Sequence, residues 1–360
     1  MAPPRKTKWR LEPHTRAKHE ILRLYLGAWF SILRTRFRRL VYIDGFCGPG
    51  RYDAGEPGSP LIAIEQAKSI PADDAILELH FVDEHRERIR HLKEELKAIE
   101  LPEHLRICVE ESRFESRLSQ LLDAWEQDGV PPTLVFADPF GFSGIPYSLF
   151  ERLLRHRHTE LFVTFSTTAI KRFVDHQDPR VRAHIHEVFG LDIAGRHSLV
   201  ETYESQLKKL AQFVRLFELR NSRNNFILHL AFATNHPLGH RKMKEAMWQV
   251  DPDGEFRFWD HTDADQPGLL HPDHTADVAQ VVLHYLREKE PATVREIQQY
   301  VEDETKYLAR HAKDAMKKLE REDLIRVRPR KKDGSRRRKG TFPADAIITL
   351  PPKETGKADG

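Results

Sequence analysis

Three aspartates placed directly after strand-like runs are the residues of this chain best suited to do chemistry. Asp44, Asp83 and Asp138 each follow a predominantly apolar run, which is typical of a buried strand. In α/β folds that bind nucleosides, an acid at the end of a strand accepts hydrogen bonds from the ligand. We therefore expect Asp44 and Asp83 to contact a nucleoside ligand and Asp138 to contact the group that reacts with it, all positioned by the strands and helices of an α/β fold.

A glycine turn follows the first of these runs. Residues 44–50 read D-x-F-x-G-x-G, and a helical pattern begins at about Ser59. Gly48 and Gly50 can adopt positive φ and carry no Cβ, so the backbone there can lie close to a ligand. Such a turn also occurs simply to pack a helix on a strand. The order of residues resembles the first motif of class I S-adenosylmethionine (SAM) methyltransferases. The resemblance implies SAM as cofactor, with these candidate ligands in the turn: Asp44, Gly45, Phe46, Gly48 and Gly50.

The next two predicted strands end in further candidate cofactor ligands. Asp83 is assigned to the ribose hydroxyls, with Glu84 as the close rival. Glu111 or Ser112, after the third strand, would contact the adenine. Glu110 stays an alternative to Glu111 because strand ends are predicted only to within about two residues.

The run Asp138-Pro139-Phe140 predicts chemistry on an amine. A base amine is a poor nucleophile because its lone pair is delocalised into the ring. A carboxylate and a backbone carbonyl can accept its two protons, and an aromatic ring can stack on a base that has left its helix. Asp138, the Pro139 carbonyl and Phe140 fit these roles. The motif resembles the [DNS]-P-P-[YFW] of methyltransferases that act on exocyclic amines, but it departs from D-P-P-Y at Phe140 and Gly141. In this respect it looks more like the motif of tRNA guanine-N2 dimethyltransferases. The alternative is a strand that ends in a simple Asp-Pro turn.

Composition and charge limit the classes to which the protein can belong. The 360 residues leave room for two domains, and 31% of them are charged. No apolar run approaches the ~20 residues that span a bilayer, and no signal peptide is evident, so we expect a cytoplasmic protein. The two cysteines, Cys47 and Cys108, predict neither a disulfide framework nor a cysteine zinc site, and the 20 histidines form no recognisable ligand set. We therefore predict no metal.

The two ends of the chain are basic. Residues 1–39 hold 11 Lys/Arg against 2 Asp/Glu, and residues 272–360 hold 20 against 16. This distribution favours an anionic partner, although solvated charged helices would give the same pattern. A helical pattern starts at His14. Lys18 and His19 lie in its first turns, where we expect a solvated surface rather than a place at the cofactor mouth.

The C-terminal part has a pattern of its own. Three helical segments and a β-hairpin predict a winged helix, with a capping box from Thr293 to Glu296. Its basic loop suits a phosphate backbone, although winged helices also dock proteins. The candidate nucleic-acid ligands are Arg326, Arg328, Arg330, Lys331, Lys332, Arg336, Arg337, Arg338 and Lys339. The predicted domains are a basic helical segment 1–39, a methyltransferase-like domain 40–265, a winged-helix domain 273–350 and a tail 351–360.

Several segments together resemble the three-Cys-motif partner (TcmP) family. They cover most of residues 14–260 and read H-T-x-x-K-H from His14, Y-I-D-G-F-x-G-P-G from Tyr42, G-S-P from Gly58, D-P-F-G from Asp138, A-T-N-H-P from Ala233 and M-x-x-A-M-W from Met243. The resemblance implies a methyltransferase-like fold in bacteria and a neighbouring protein with a three-cysteine, radical-SAM-like motif. It carries no settled activity.

The sequence therefore predicts an α/β protein with a class I methyltransferase-like Rossmann sheet and a C-terminal winged-helix domain. The first functional hypothesis is a SAM-dependent methyltransferase that acts on an exocyclic amine of a nucleobase in DNA or RNA. The second is a non-catalytic protein of the same fold that binds nucleic acid or serves as accessory partner of the three-Cys-motif protein in DNA modification or repair.

Overall fold

The structure, a computed structural model, divides into two compact units. Unit 1 comprises Met1–Asp251 with Phe256–Pro267, and unit 2 comprises Pro252–Glu255 with Gly268–Gly360. The residues that the structure describes are 7–71, 75–139, 145–171, 173–174, 176–193, 195–196, 198–221, 227–259, 273–328 and 337–352.

Unit 1 is built on an eight-stranded mixed sheet. Its strands are β1 (Arg39–Asp44), β2 (Ile76–Asp83), β3 (Leu105–Glu111), β4 (Thr133–Ala137), β5 (Thr159–Ser166), β6 (Phe213–Arg220), β7 (Ile227–Thr234) and β8 (Arg257–Trp259). Its helices are α1 (Pro13–Leu33), α2 (Ser59–Lys68), α3 (Arg86–Lys97), α4 (Phe114–Asp128), α5 (Tyr147–Leu154), α6 (Thr167–Lys171), α7 (Pro179–Phe189), α8 (Leu199–Leu210) and α9 (Pro237–Val250).

The strand order is β3-β2-β1-β4-β5-β7-β6-β8. Strands β1 to β5 are parallel to one another, whereas β7 runs antiparallel to both β5 and β6. The chain winds outward from β1 in both directions, so the order reverses between β1 and β4. Ligands of such sheets bind outside the carboxyl ends of the strands at this reversal. The predicted Rossmann-like α/β sheet is confirmed.

Helices cover both faces of the sheet. Leu40 and Tyr42 point into a core formed with α1, α2, α3 and α9, while Val41 and Ile43 point into a second core formed with α4, α5, α7 and α8. This alternation follows from the two-residue period of a strand. Because both faces are buried, the central strands are predominantly apolar.

Unit 2 consists of α10 (Thr275–Glu288), β9 (Ala292–Thr293), α11 (Val294–Glu304), α12 (Ala309–Arg321), β10 (Arg326–Val327) and β11 (Ile347–Thr349). Its three strands form an antiparallel sheet in the order β10-β11-β9. The predicted capping box is present: Thr293 Oγ1 accepts a hydrogen bond from the Glu296 N–H, and the Glu296 carboxylate accepts one from the Thr293 N–H.

One stretch differs from the prediction made from its sequence. The sequence of residues 169–220 predicts a largely helical segment, but 213–220 form β6. This segment pairs with β7 along its whole length, and tertiary pairing outweighs helical propensity there. The run Phe256-Arg257-Phe258-Trp259 predicts a final strand of the sheet, and this is confirmed, since β8 pairs with β6. Both cysteines are free thiols. Within the described residues, no helix has the length and apolar character needed to cross a membrane.

Candidate functional site

The three predicted aspartates lie at one edge of the sheet. Asp44 and Asp83 are the last residues of β1 and β2, and Asp138 directly follows β4. The three strands are parallel neighbours around the reversal of strand order. They are also close enough for the charges of Asp138 and Asp83 to contribute to the raised pKa of Asp44. The structure therefore brings the predicted acids together.

Asp44 is completely buried. Its Oδ1 accepts a hydrogen bond from the Phe46 N–H at 3.3 Å. Its Oδ2 is buried without a hydrogen-bond donor in good geometry among the described residues, although the Ser59 hydroxyl is close enough to lower the pKa. Burial dominates and raises the pKa of Asp44 to about 7. A buried carboxylate oxygen with spare accepting capacity suits a cationic or N–H-bearing ligand.

The glycine turn is held by Asp83. Gly48 has φ of +64°, and its N–H donates to Asp83 Oδ2 at 3.1 Å. Gly50 also has positive φ, at +87°. Gly45 lies against the ring of Phe114, where a Cβ would collide. Phe46 is half-buried and packs on the same ring, with centroids 5.6 Å apart.

The structure separates Asp83 from its rival Glu84. The Asp83 side chain is buried and receives the Gly48 N–H, the His85 N–H at 2.8 Å and the Arg88 guanidinium at 3.4 Å. Glu84 is exposed. Of the two acids, only Asp83 faces the glycine turn.

Sequence reasoning missed an aromatic side chain over this turn. Trp9 lies 3.6 Å from the position that a Cβ on Gly48 would take. Arg88 stacks on the Trp9 ring at 5.2 Å, and Tyr52 meets the ring edge-on with centroids 6.0 Å apart. The segment stays in place partly through the Asp53 N–H, which donates to the Trp9 carbonyl at 3.0 Å. Nothing in the local sequence pattern indicated these contacts.

The acids after the third strand also differ in their surroundings. Glu110 is tied to the Arg117 guanidinium at 2.5 Å. Glu111 is exposed and pairs in register with Asp83. The Ser112 N–H donates to the Asp83 carbonyl at 3.2 Å. Glu111 and Ser112 thus stand beside the ribose candidate, whereas Glu110 is engaged elsewhere.

Asp138 forms an ion pair that the sequence did not indicate. Its Oδ2 accepts from the Lys18 ammonium, and its Oδ1 accepts from the Thr164 hydroxyl at 2.6 Å. Burial alone would raise the pKa of Asp138, but the charge and hydrogen bond of Lys18 and the bond from Thr164 outweigh it and hold the pKa below its ordinary value. The carboxylate is therefore ionised at neutral pH.

The expectation of a solvated first turn for Lys18 and His19 was wrong. Both side chains are buried. Burial and the adjacent Lys18 charge lower the pKa of His19 to about 3, so the ring is neutral. His19 Nε2 lies 3.5 Å from the Tyr52 hydroxyl. The pair connects α1 with the residues that follow the glycine turn.

Pro139 is half-buried next to Asp138, and Phe140 lies outside the described residues, as does Gly141. The stacking role predicted for Phe140 therefore stays a prediction.

The candidate nucleic-acid ligands of unit 2 fall into three groups. Exposed cations are Arg326, Arg328, Arg338 and Lys339. Arg330, Lys331, Lys332 and Arg336 lie outside the described residues. Arg337 differs from the prediction: its guanidinium is buried against the Glu320 carboxylate and donates to the Thr341 carbonyl at 2.7 Å. Arg337 is therefore committed to the fold of unit 2 rather than to a phosphate.

The described residues also contain one group with metal-ligating side chains, formed by His80, Cys108 and Glu110. The Arg117 guanidinium already pairs with Glu110 there. Because the Arg117 guanidinium already neutralises the Glu110 carboxylate, which a metal would need as a ligand, we assign no metal to this group.

No protein-family model matches the sequence, and no curated protein matches it. Among solved structures, the chain is similar to protein LPL1258 from Legionella pneumophila, with 15% identity, 66% of this chain and 94% of that chain covered, and a TM-score of 0.43. It is similar to Trm1 from Pyrococcus horikoshii, solved with SAM, with 12% identity, coverage of 98% and 94%, and a TM-score of 0.36. It is also similar to the bifunctional kinase-methyltransferase WbdD, with 13% identity, coverage of 61% and 39%, and a TM-score of 0.35.

These likenesses are distant in both sequence and shape, and methyltransferases are among them. The fold is defined by its own strand order and pairing, with β1 to β5 parallel and β7 antiparallel to both of its neighbours.

Proposed function

We propose that the protein is a SAM-dependent methyltransferase that acts on an exocyclic amine of a nucleobase. The observation that carries the proposal is the arrangement at the carboxyl edge of the sheet. Asp44, Asp83 and Asp138 lie there at the ends of three neighbouring parallel strands, and Gly48 and Gly50 of the glycine turn after β1 have positive φ. Methyl donation to an amine needs a nucleoside cofactor site and a nearby acceptor for the amine protons. This edge offers candidates for both.

The cofactor role rests on two features of the turn. Gly48 has positive φ and carries no Cβ, and Asp44 Oδ2 is a buried acceptor without a well-placed donor among the described residues. Both fit a ligand with an ammonium group and a nucleoside. Asp44 would hold the amino group of SAM, Asp83 the ribose hydroxyls, and Glu111 or Ser112 the adenine. When bound, SAM supplies an electrophilic methyl group.

The substrate role rests on Asp138. The nearby Lys18 keeps this carboxylate ionised, so it can accept a hydrogen bond from an amine. Each of its oxygens already accepts one bond and has a second lone pair available. The Pro139 carbonyl would accept the other amine proton, and Phe140 would stack on the base.

Unit 2 would hold the nucleic acid as a winged helix. Its order of helix, strand, two helices and two strands and its antiparallel sheet agree with this assignment. The exposed Arg326, Arg328, Arg338 and Lys339 would contact phosphates. The four basic residues outside the described part belong to the same proposal.

The first test is calorimetric titration of the full chain with SAM, beside Asp44→Asn. We expect micromolar binding by the wild type and at least tenfold weaker binding by the variant, since asparagine keeps the shape but removes the charge. Glu84→Gln is the matched control and should bind SAM normally. A folded wild type that binds no SAM contradicts the proposal. If SAM binds, transfer of labelled methyl groups to DNA and RNA identifies the substrate.

The engagement of Asp138 supports a second candidate. Because Lys18 and Thr164 hold both of its oxygens, an amine would have to share them. This arrangement fits a non-catalytic protein that works as accessory partner of a three-Cys-motif, radical-SAM-like protein. Co-purification with that neighbour, together with SAM binding but no methyl transfer, would favour this candidate. Transfer by the isolated chain would exclude it.

A further inference from the structure

A second cavity lies at the edge of the sheet opposite to the three aspartates. It is lined by the C-terminal half of α1, the loop that precedes β5 and the first turn of α9, and it contains about 660 Å³ of empty space, including the part open to solvent. Glu160, near the start of β5, lies in its wall, whereas Asp138 follows the end of β4, so the two sites use opposite ends of parallel strands.

The walls of the cavity are largely apolar and aromatic. Trp29, Phe37 and Tyr25 line it together with aliphatic side chains of α1. The Glu160 carboxylate is buried and accepts hydrogen bonds from the Tyr25 hydroxyl at 2.5 Å and the Thr234 hydroxyl at 2.7 Å. Aromatic walls of this kind suit a flat ring.

The rim of the cavity is strongly basic. Arg36, Arg157 and His158 are exposed lining residues, and neither arginine forms an ion pair with any residue that the structure describes. The pKa of the neighbouring His236 reflects the same positive charges. Burial is the largest cause that lowers this pKa, and the charges of His158, Arg157, Arg36 and Arg241 lower it further. The Glu160 carboxylate in the wall is already bonded to the Tyr25 and Thr234 hydroxyls. The exposed cations of the rim, beside the N-terminal turn of α9, favour an anion.

We propose that this cavity binds the phosphate and the aromatic ring of a nucleotide. The phosphate pairs with Arg36 and Arg157 at the rim, and the ring lies between the aromatic walls. A bare anion would leave the apolar walls exposed to water. An uncharged ring would leave the two rim arginines without a negatively charged partner. The ligand is a free nucleotide or the phosphorylated end of a nucleic-acid strand. The inference stands apart from the proposed methyltransferase site, because it uses none of its residues.

The test is titration of the full chain with AMP, adenosine and inorganic phosphate. We expect AMP to bind at least tenfold more tightly than either of the other two. Arg36→Glu and Arg157→Glu should each weaken AMP binding at least tenfold. Arg182→Glu, an exposed arginine on α7 at the other face of the sheet, is the matched control and should change the affinity less than twofold. Circular dichroism confirms that the variants are folded.

A second arm separates the two sources of the nucleotide. If a single-stranded oligonucleotide with a 5′ phosphate binds more tightly than both AMP and its 5′-hydroxyl form, and Arg36→Glu removes that preference, the ligand is the end of a strand. If AMP binds at least as tightly as the phosphorylated oligonucleotide, the ligand is free. The proposal is overturned if AMP binds no more tightly than adenosine and phosphate, or if Arg36→Glu and Arg182→Glu affect it equally.

Discussion

At the scale of single residues, Asp44 combines a cost in stability with its proposed role in binding. Its folded pKa of about 7 lies well above the ordinary value of 3.8. The folded state therefore holds a proton that the unfolded state releases between these two values, and the stability contributed by the protonated group is lost as the pH rises towards 7. A neutral side chain of the same shape avoids this loss.

We expect Asp44→Asn to be more stable than the wild type at pH 8, by roughly 2–4 kcal/mol, and to lose this advantage towards pH 4. Chemical denaturation at a series of pH values measures the difference. An advantage that does not depend on pH would contradict the raised pKa. The same variant is expected to bind SAM less well, so stability and binding change in opposite directions.

The Lys18–Asp138 pair gives an asymmetric prediction. Lys18 has 4% of its side chain exposed and Asp138 27%. Removing the carboxylate leaves the more deeply buried charge without a partner, so Asp138→Asn should cost more than Lys18→Met. Losses of about 2–5 kcal/mol are expected, and the double variant should recover part of them. A double-mutant cycle in urea checks this order. Strictly additive losses would mean that the pair does not interact.

The same asymmetry affects any activity test at Asp138. A variant that lacks the carboxylate alone loses stability as well as an acceptor for the amine. Lys18→Met with Asp138→Asn is the better background, because it removes the carboxylate without leaving an unpaired ammonium.

At the scale of elements, apolar runs that end in an acid identified β1, β2 and β4 from the sequence because a parallel strand buried on both faces has a continuous apolar pattern. β6 was not predicted because pairing with β7, rather than the pattern of its own residues, makes this segment a strand. The contact between Lys18 and Asp138 joins residues 120 positions apart. Local patterns hold no information about such a contact. The basic run that contains Arg337 likewise shows charge but not which of its members is buried.

The capping box of α11 gives a prediction at this scale. Thr293→Ala removes an acceptor for the Glu296 N–H and should destabilise the start of α11 by about 1 kcal/mol. Amide hydrogen exchange should therefore become about fivefold faster in the first turn of α11. Glu296→Gln keeps an acceptor for the Thr293 N–H and serves as the milder control. Unchanged exchange in Thr293→Ala would show that the cap does not limit local opening.

At the scale of the whole molecule, the burial of a basic side chain distinguishes a role in the fold from the proposed role in binding nucleic acid. If unit 2 binds nucleic acid, Arg326→Ala and Arg328→Ala should each reduce the slope of log K against log salt by about 0.7–0.9. Arg287→Ala, exposed on α10, should leave the slope unchanged. Fluorescence anisotropy with a labelled oligonucleotide at several salt concentrations measures this.

Arg337→Ala should behave differently from its neighbours in sequence. It leaves Glu320 buried without its partner and should destabilise unit 2 by about 3–5 kcal/mol. If Arg337→Ala stays fully stable and only reduces the slope of log K against log salt, Arg337 contacts a phosphate instead.

Helix α1 has a geometric consequence for how this chain can vary. Lys18 and Tyr25 are seven residues apart, close to two full turns, and they contact acids at opposite ends of neighbouring strands. A single inserted residue between them would rotate one contact by about 100° relative to the other. Helix α1 thus fixes both the distance and the rotation angle between these two contacts. Changes in chain length can be absorbed before Lys18 or after Leu33, but not between residues 18 and 25.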